Sequence, residues 1–327
     1  MATLIDEPRQ SMPTRAPRRR RSPRVGLAVT CVVLSLALAL VLVAHRWIPD
    51  AGGLRLVIES GLPWLGLAIP VLLVFALLSH SKGAIAATVV PALVWAVVFI
   101  PAMLPLSWTG SPATASDTLT VASQNVEADS GTAAESATAL AATGAQVIAL
   151  QEMDDDARAE VDAVLDDRYA YSYGIGTVGL WSSYPIENAQ MLDLGLGWQR
   201  GIAADLSTPV GLVSIYVIHA ASARPDDHAD RDTMLANLAD YAQRDPNSRL
   251  IMMGDFNAGA SDRNLSALTS QLSEPNQSGG GLGFTWPASL PLTRPDHVLA
   301  RGMEATSNTT TRAGASDHLA LITTFAL

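Results

Sequence analysis

Long apolar runs and short ones divide this chain into two parts. Residues 25–44, 56–78 and 84–106 are almost continuously apolar and nearly free of charge. Each is roughly 20 residues long, enough for a helix rising about 1.5 Å per residue to cross a hydrocarbon core of about 30 Å. Pro63, Pro70, Pro91 and Pro101 fall within these runs, and membrane helices tolerate proline better than isolated soluble helices do, because neighbouring helices re-satisfy the freed backbone groups. Three transmembrane helices are therefore expected, joined by short connectors at 45–55 and 79–83. Glu59 lies near the start of the second span, within reach of the interface, and Trp47, Trp64 and Trp108 lie near span ends, as interfacial anchors do. A cleaved signal peptide is the alternative for the first run. Its length and the two spans behind it argue against cleavage.

Residues 107–117 (SWTGSPATASD) read as a polar tether and mark a domain boundary. Beyond it, over 118–327, short β-like runs alternate with amphipathic stretches. Strands are expected at 119–123, 146–151, 178–181, 202–206, 211–218, 249–253, 297–300 and 319–325, and helices at 133–142, 154–165 and 227–243. The mixture lacks the strict βα alternation of a doubly wound sheet. The Gly-rich stretch 278–283 reads as a mobile loop.

Charge sharpens the division. Residues 1–110 hold ten of the 21 Lys+Arg and four of the 31 Asp+Glu; the remaining 11 basic and 27 acidic residues leave 111–327 at −16, with no lysine after Lys82. Residues 1–24 are polar and Arg-rich (Arg9, Arg15, Arg18, Arg19, Arg20, Arg21, Arg24) and are expected to be disordered. Such a patch can bind nucleic acid, but one abutting an apolar run is a topology signal that retains the N-terminus in the cytoplasm. Three crossings then place the C-terminal domain outside, although Arg46 and Arg55 in the first connector argue mildly the other way. The single cysteine, Cys31, excludes a disulfide framework and a Cys-based zinc site.

Candidate chemistry lies where apolar runs end. VASQN ends in Asn125, VIALQE in Glu152, VSIYVIH in His219, and LIMMGDFN in Asp255 and Asn257; RPDHVLA carries Asp296, and a late SDH carries Asp317 and His318. Strand ends can aim side chains at one place from a rigid scaffold. Carboxylates are hard ligands of the kind Mg²⁺ prefers, and histidine beside a carboxylate can orient or deprotonate water. Each residue alone has an ordinary explanation: Asn125 or Asp296 as a turn former, Glu152 as a solvated strand end, His219 as a core histidine, His318 as a surface one. Their joint occurrence is harder to explain that way. Asp226, Asp227, Asp230 and Asp232 read as a solvated helix start rather than a second metal site, and Arg231 is left out of the set.

The ordered pieces SQNVE, ALQE, WSSYPIE, GDFN, FTWP, RPDHVLA and SDH resemble the endonuclease/exonuclease/phosphatase superfamily over about 118–327. The resemblance implies an α/β four-layer sandwich, two mixed β-sheets flanked by helices; the pattern of strands and helices alone would allow other α+β arrangements. It also implies a Mg²⁺ (or Mn²⁺) cofactor, with Glu152, Asn125 and Asp317 as metal-binding residues and His318, Asp255, Asp296, His219 and Asn257 as catalytic ones. His318, paired with Asp296, would act on water or phosphate; Asp255 would be a base or second metal-linked carboxylate. Asn257 would hold the phosphate and His219 would donate to it. Ser183 stands where the family's LSRYPI-like segment often has arginine, and 270–292 carries no nameable specificity motif.

The implied partners are a phosphoester substrate (lipid headgroup, small phosphoester or nucleic acid) and the membrane; no protein partner is evident. A duplex nuclease gains affinity by neutralising phosphates with Lys and Arg, so the −16 domain is poorly equipped to hold long DNA. An extracellular nuclease stays as one alternative. A catalytically inactive, membrane-anchored binding module is another, disfavoured by the completeness of the residue set.

Overall fold

The computed structural model describes residues 23–109 and 117–327; the Arg-rich segment up to residue 22 and most of the tether lie outside the described residues. Helix α1 (Pro23–Ala44) leads into a 3₁₀ turn at His45–Trp47. Helix α2 (Leu54–Gly61), a 3₁₀ segment (Leu62–Leu67) and α3 (Ala68–Leu78) follow, and α4 (Lys82–Met103) precedes the short α5 (Leu106–Thr109). Three helical stretches, Arg24–Trp47, Leu54–Leu78 and Lys82–Met103, are long and apolar enough to cross a membrane. Cys31, Ala76 and Ala84, one from each stretch, meet in a small cluster; small side chains let helix backbones approach where no hydrophobic effect drives them together. Large apolar side chains cover the outside, with Leu40 66% and Val97 75% exposed.

The second stretch is not one uniform helix. In α2, Leu56 and Glu59 are buried while Leu54 and Val57 are exposed. Glu59 does more than reach an interface: its Oε1 accepts from Arg263 Nε of the C-terminal domain at 2.8 Å, and Arg263 also donates to the carbonyls of His45 and Ile48, each at 3.0 Å. Arg55 donates to Asp232 at 2.8 Å. At the end of α4, Asn276 donates to the carbonyls of Pro101 and Leu104. The Gly-rich stretch expected to be a mobile loop is tied down here, with the Gly281 N–H donating to the Met103 carbonyl at 2.9 Å.

The C-terminal domain is a four-layer sandwich. Its strands are β1 (Thr118–Asn125), β2 (Val147–Gln151), β3 (Tyr171–Ile175), β4 (Val178–Ser182), β5 (Ile186–Met191), β6 (Gly201–Thr208), β7 (Gly211–His219), β8 (Leu250–Asp255), β9 (Asp296–Arg301), β10 (Glu304–Thr311) and β11 (Ala320–Ala326). Its helices are α6 (Ala133–Ala142), α7 (Asp155–Leu165), α8 (Ala229–Arg244) and α9 (Ser266–Thr269). Among the described residues one sheet runs β10-β11-β1-β2-β4-β3 and the other β5-β6-β7-β8-β9. Both are mixed: β1–β2 and β7–β8 pair in parallel, their neighbours antiparallel.

Side chains alternate faces along a strand, and here both faces are covered. Val121, Val147, Ala149, Leu180, Ile215, Val217, Ile251 and Met253 meet between the sheets. Their sequence neighbours point outward: Ala122, Ile148 and Leu150 under Ala137, Leu140, Val161 and Leu165 of α6 and α7, and Tyr216, Ile218 and Met252 under Met234, Leu235 and Leu238 of α8. This explains why the strands read as continuous apolar runs rather than alternating ones. Helix α7 is capped by Asp154, whose carboxylate accepts from the Ala157 N–H at 2.7 Å, and Asp155 and Asp156 in its first turn complement the helix dipole.

Candidate active site

The parallel pairs deliver their last residues to one rim. Asn125 lies opposite Gln151 at the ends of β1 and β2, with Glu152 next, and His219 lies opposite Asp255 at the ends of β7 and β8. Asp296 pairs with Asp255 across β9. Glycine is required just before Asp255: Gly254 has φ +137°, and a Cβ there would lie 2.0 Å from the Ile218 carbonyl oxygen. Glu152 and Asn257 adopt left-handed backbone, φ 62° and 48°. That conformation is cheap for asparagine but costs a longer side chain of order 1 kcal/mol or more, and such outliers gather where geometry serves a site.

Asn125 Nδ2 donates to Glu152 Oε1 at 2.9 Å and to Asp255 Oδ2 at 3.0 Å, joining the two sheets. His219 Nε2 is 3.2 Å from Glu152 Oε1. Asp255 Oδ1 accepts from the Asn257 N–H at 2.8 Å, and Asn257 Nδ2 donates to the Ala220 carbonyl. Asp296 Oδ2 is 2.9 Å from His318 Nδ1 and accepts from Thr285 Oγ1 at 2.5 Å. The loop bearing His318 is held from below: buried Gln124 donates to the His318 and Ala313 carbonyls, and Ser316 Oγ donates to the Asn125 carbonyl.

Five of the eight residues expected from the sequence, Asn125, Glu152, His219, Asp255 and Asn257, therefore form one connected network, and the Asp296–His318 pair lies against it, with donor atoms within 4.8 Å of Asp255. Asp317 stands at its edge. Its Oδ1 is 3.8 Å from His318 Nε2, while its Oδ2 accepts from Trp286 Nε1 at 2.8 Å. The sequence reading missed Thr177, which bonds His219 Nδ1 at 3.2 Å, and Glu127, which accepts from the Asp317 N–H. It also missed Thr285 and Trp286. Glu127, Thr285 and Trp286 sit inside SQNVE and FTWP, so a signal was present; Thr177 carries none. Arg231, left out of the set, is fully buried and donates to the Asn257 carbonyl at 2.7 Å, with Asp262 at 2.8 Å. It props the GDFN loop from behind.

Two groups among the described residues have donor atoms mutually close enough to hold one cation: Glu152, His219 and Asp255; and Asp255, Asp296 and His318. The donor chemistry fits a hard divalent ion. Asp296 Oδ1 is buried without a hydrogen-bond partner. The Asp255 carboxyl is pushed up from its ordinary range by burial and then by the neighbouring Asp296 carboxylate, a crowding that a cation would relieve. The contact with His219 holds the Glu152 carboxyl down at about 2, against its partial burial and with help from Asn125. Burial disfavours the His318 imidazolium, but the Asp296 carboxylate outweighs it and raises the ring to about 9.

The folded pKa of His318 lies above its ordinary 6.5, so its contribution is complete below about pH 6.5 and is lost as pH rises through about 9. Metal-free protein should melt at progressively lower temperature across that window, and Asp296→Asn should flatten the decline. A parent melting temperature unchanged between those pH values would contradict the assignment.

A cleft of about 380 Å³ opens over His318, walled by Asn257, Trp286 and Pro295 and, from α2, by Leu56 and Ser60.

Residues 122–318 match the sequence profile described as the endonuclease/exonuclease/phosphatase family. No curated protein matches the chain. Solved structures share the fold: a truncated TDP2 from Caenorhabditis elegans at 19% identity and TM-score 0.55, covering 64% of this chain and 98% of that one. An endonuclease/exonuclease/phosphatase family protein from Bacteroides thetaiotaomicron aligns at 16% and 0.55, covering 64% and 98%. A beta toxin from Staphylococcus aureus aligns at 12% and 0.50, covering 63% and 99%. The chain belongs to the endonuclease/exonuclease/phosphatase family.

Proposed function

We propose, taking membership of this family of phosphoester hydrolases as the premise, that the chain is a membrane-anchored, divalent-metal-dependent phosphoesterase. It hydrolyses phosphodiester or phosphomonoester bonds, with the catalytic domain on the extracytoplasmic side. The observation carrying the reading is that two cation-sized donor groups share Asp255 and end on a histidine paired with a buried carboxylate.

In this reading Glu152 holds a Mg²⁺ or Mn²⁺ ion, oriented by Asn125, with Asp317 contributing from the rim. The ion, when bound, neutralises charge on the phosphate oxygens. Asp296 fixes the His318 ring through Nδ1 and leaves Nε2 to carry a proton to or from the reacting phosphate and water. Asn257, braced by Asp255 and Ala220, offers its amide to a non-bridging oxygen. His219 offers Nε2 from the neighbouring strand of the same sheet, with Thr177 at its Nδ1. Asp255, whose carboxyl is raised by burial and by Asp296, serves as base or as a further metal-linked carboxylate.

Full-length protein in detergent should turn over bis(4-nitrophenyl) phosphate or 4-nitrophenyl phosphate with Mg²⁺ or Mn²⁺. EDTA should lower the rate about tenfold or more, and added metal should restore it. Turnover indifferent to EDTA would sink the metal reading.

The residue domains proposed are 25–106 for the spans, 107–117 for the tether and 118–327 for the catalytic domain. For topology, the Arg-rich N-terminus favours a cytoplasmic start and three crossings an external domain. Arg55, which would otherwise count against an external first connector, is paired with Asp232 and Asp50. Protease added to intact cells should remove the C-terminal domain; a fully protected domain would reverse the orientation.

A further inference from the structure

Three cavities lie in series between the apolar helices and the catalytic rim. The first, about 400 Å³, is walled by Trp64, Leu67 and Trp95 from the helices and by Leu282 and Phe284 from the domain. The second, about 240 Å³, shares Pro63, Leu282 and Phe284 with the first, and Arg46 is in its wall. The third is the cleft over His318, which shares Ser60, Gly259 and Thr293 with the second. The walls thus change in order, from almost wholly apolar beside the spans, through a charged middle, to the donor groups of the site.

The apolar chamber is assembled jointly. Trp64 Nε1 donates to the Leu292 carbonyl at 2.7 Å and its ring packs on Phe284, so helix and domain enclose the space together. Its outer wall faces away from the protein: Leu67 is 64% exposed on a segment apolar enough to lie in a bilayer. The loop beside the cleft adds Trp286, Leu290 and Leu292, all exposed. Apolar side chains in these positions do nothing for a hydrophilic phosphoester. The charge balance points the same way, since a −16 domain without lysine draws little affinity from long polyanions, whereas a lipid sharing the bilayer is already concentrated beside the site and needs no charge to be held there.

We infer that the substrate is a phosphoester lipid of the same bilayer, one acyl chain lodged in the apolar chamber while its phosphoester reaches His318 past Arg46. The inference rests on the phosphoesterase reading above and specifies its substrate class. In the reaction the water oxygen bonds to phosphorus and the ester P–O bond breaks. The departing alcohol takes up one of the water's protons, and the other goes to the phosphate product or to solvent.

Two synthetic diesters with the same reacting bond separate the tail from the chemistry: hexadecyl 4-nitrophenyl phosphate and methyl 4-nitrophenyl phosphate. They are assayed on full-length protein in non-ionic detergent micelles with Mg²⁺ or Mn²⁺. The hexadecyl ester should have a kcat/KM about 100-fold higher, because it shares the micelle with the protein at high effective concentration and its chain can seat in the chamber. Leu67→Glu and Leu282→Glu should each cut the ratio of the two values about tenfold or more, while a folding defect would lower both values and leave the ratio alone. Equal values for the two esters, or a ratio untouched by both variants, overturns the lipid assignment and leaves the phosphoesterase standing. Hydrolysis of neither ester overturns both.

Discussion

His318→Ala lowers kcat about 10³-fold while the protein stays folded; this is the largest functional effect expected of a single substitution. The ring is buried, fixed by Asp296 through Nδ1 and carried on a loop that Gln124 and Ser316 pin independently. Removing it takes away the proposed proton carrier, a role worth about 10² to 10⁴ in rate, without removing the loop's own supports. Asp296 then remains buried with Thr285 as its surviving donor, so a modest fall in melting temperature accompanies the loss. The two readouts separate the possible roles. A residue that only stabilises the fold would lose activity in proportion to the unfolded fraction, and kcat within tenfold of the parent would remove His318 from the mechanism.

The largest effect on stability is expected from Arg231→Met, at about 3–5 kcal/mol, because breaking a buried ion pair strands the surviving charge. Arg231 is fully buried and Asp262 nearly so, at 2.8 Å; Arg231 also bonds Asp232 and the Asn257 carbonyl. For a domain of this size such a loss corresponds to a drop of about 10 °C or more in melting temperature. Adding Asp262→Asn to Arg231→Met should recover part of the loss. Asparagine can still accept from the Asn264 N–H as Asp262 does, but carries no charge to strand. A double variant as unstable as the single one would show that the packing of the guanidinium, rather than its charge, is what the site needs.

How much of this was legible beforehand follows from where each signal is stored. Asn125, Glu152, His219 and Asp255 were readable because each ends an apolar run, and buried strands leave such runs in the sequence. The four-layer order was not readable from periodicity, since strands covered on both faces lose their alternation; it came from family resemblance. Thr177 and Arg231 were invisible as site components because their partners are distant in sequence, His219 in one case and Asn257 with Asp262 in the other. Hydropathy likewise marked 56–78 as apolar, but could not show that α2 buries Leu56 and Glu59, the latter against Arg263, 204 residues further along the chain.

The placement of the chemistry on strand ends has a consequence for how this chain can change length. Adding or deleting one residue within β7 or β8 would turn every following side chain to the opposite face, taking His219 or Asp255 out of the rim while leaving composition almost untouched. The opposite rim is different. The turns between β6 and β7, between α8 and β8 and between β9 and β10 lie at the far ends of the same strands. Insertions there leave the register of the strand ends that carry the candidate site intact, so those turns are where tags, reporters or natural length variation can be accommodated at least cost to that site.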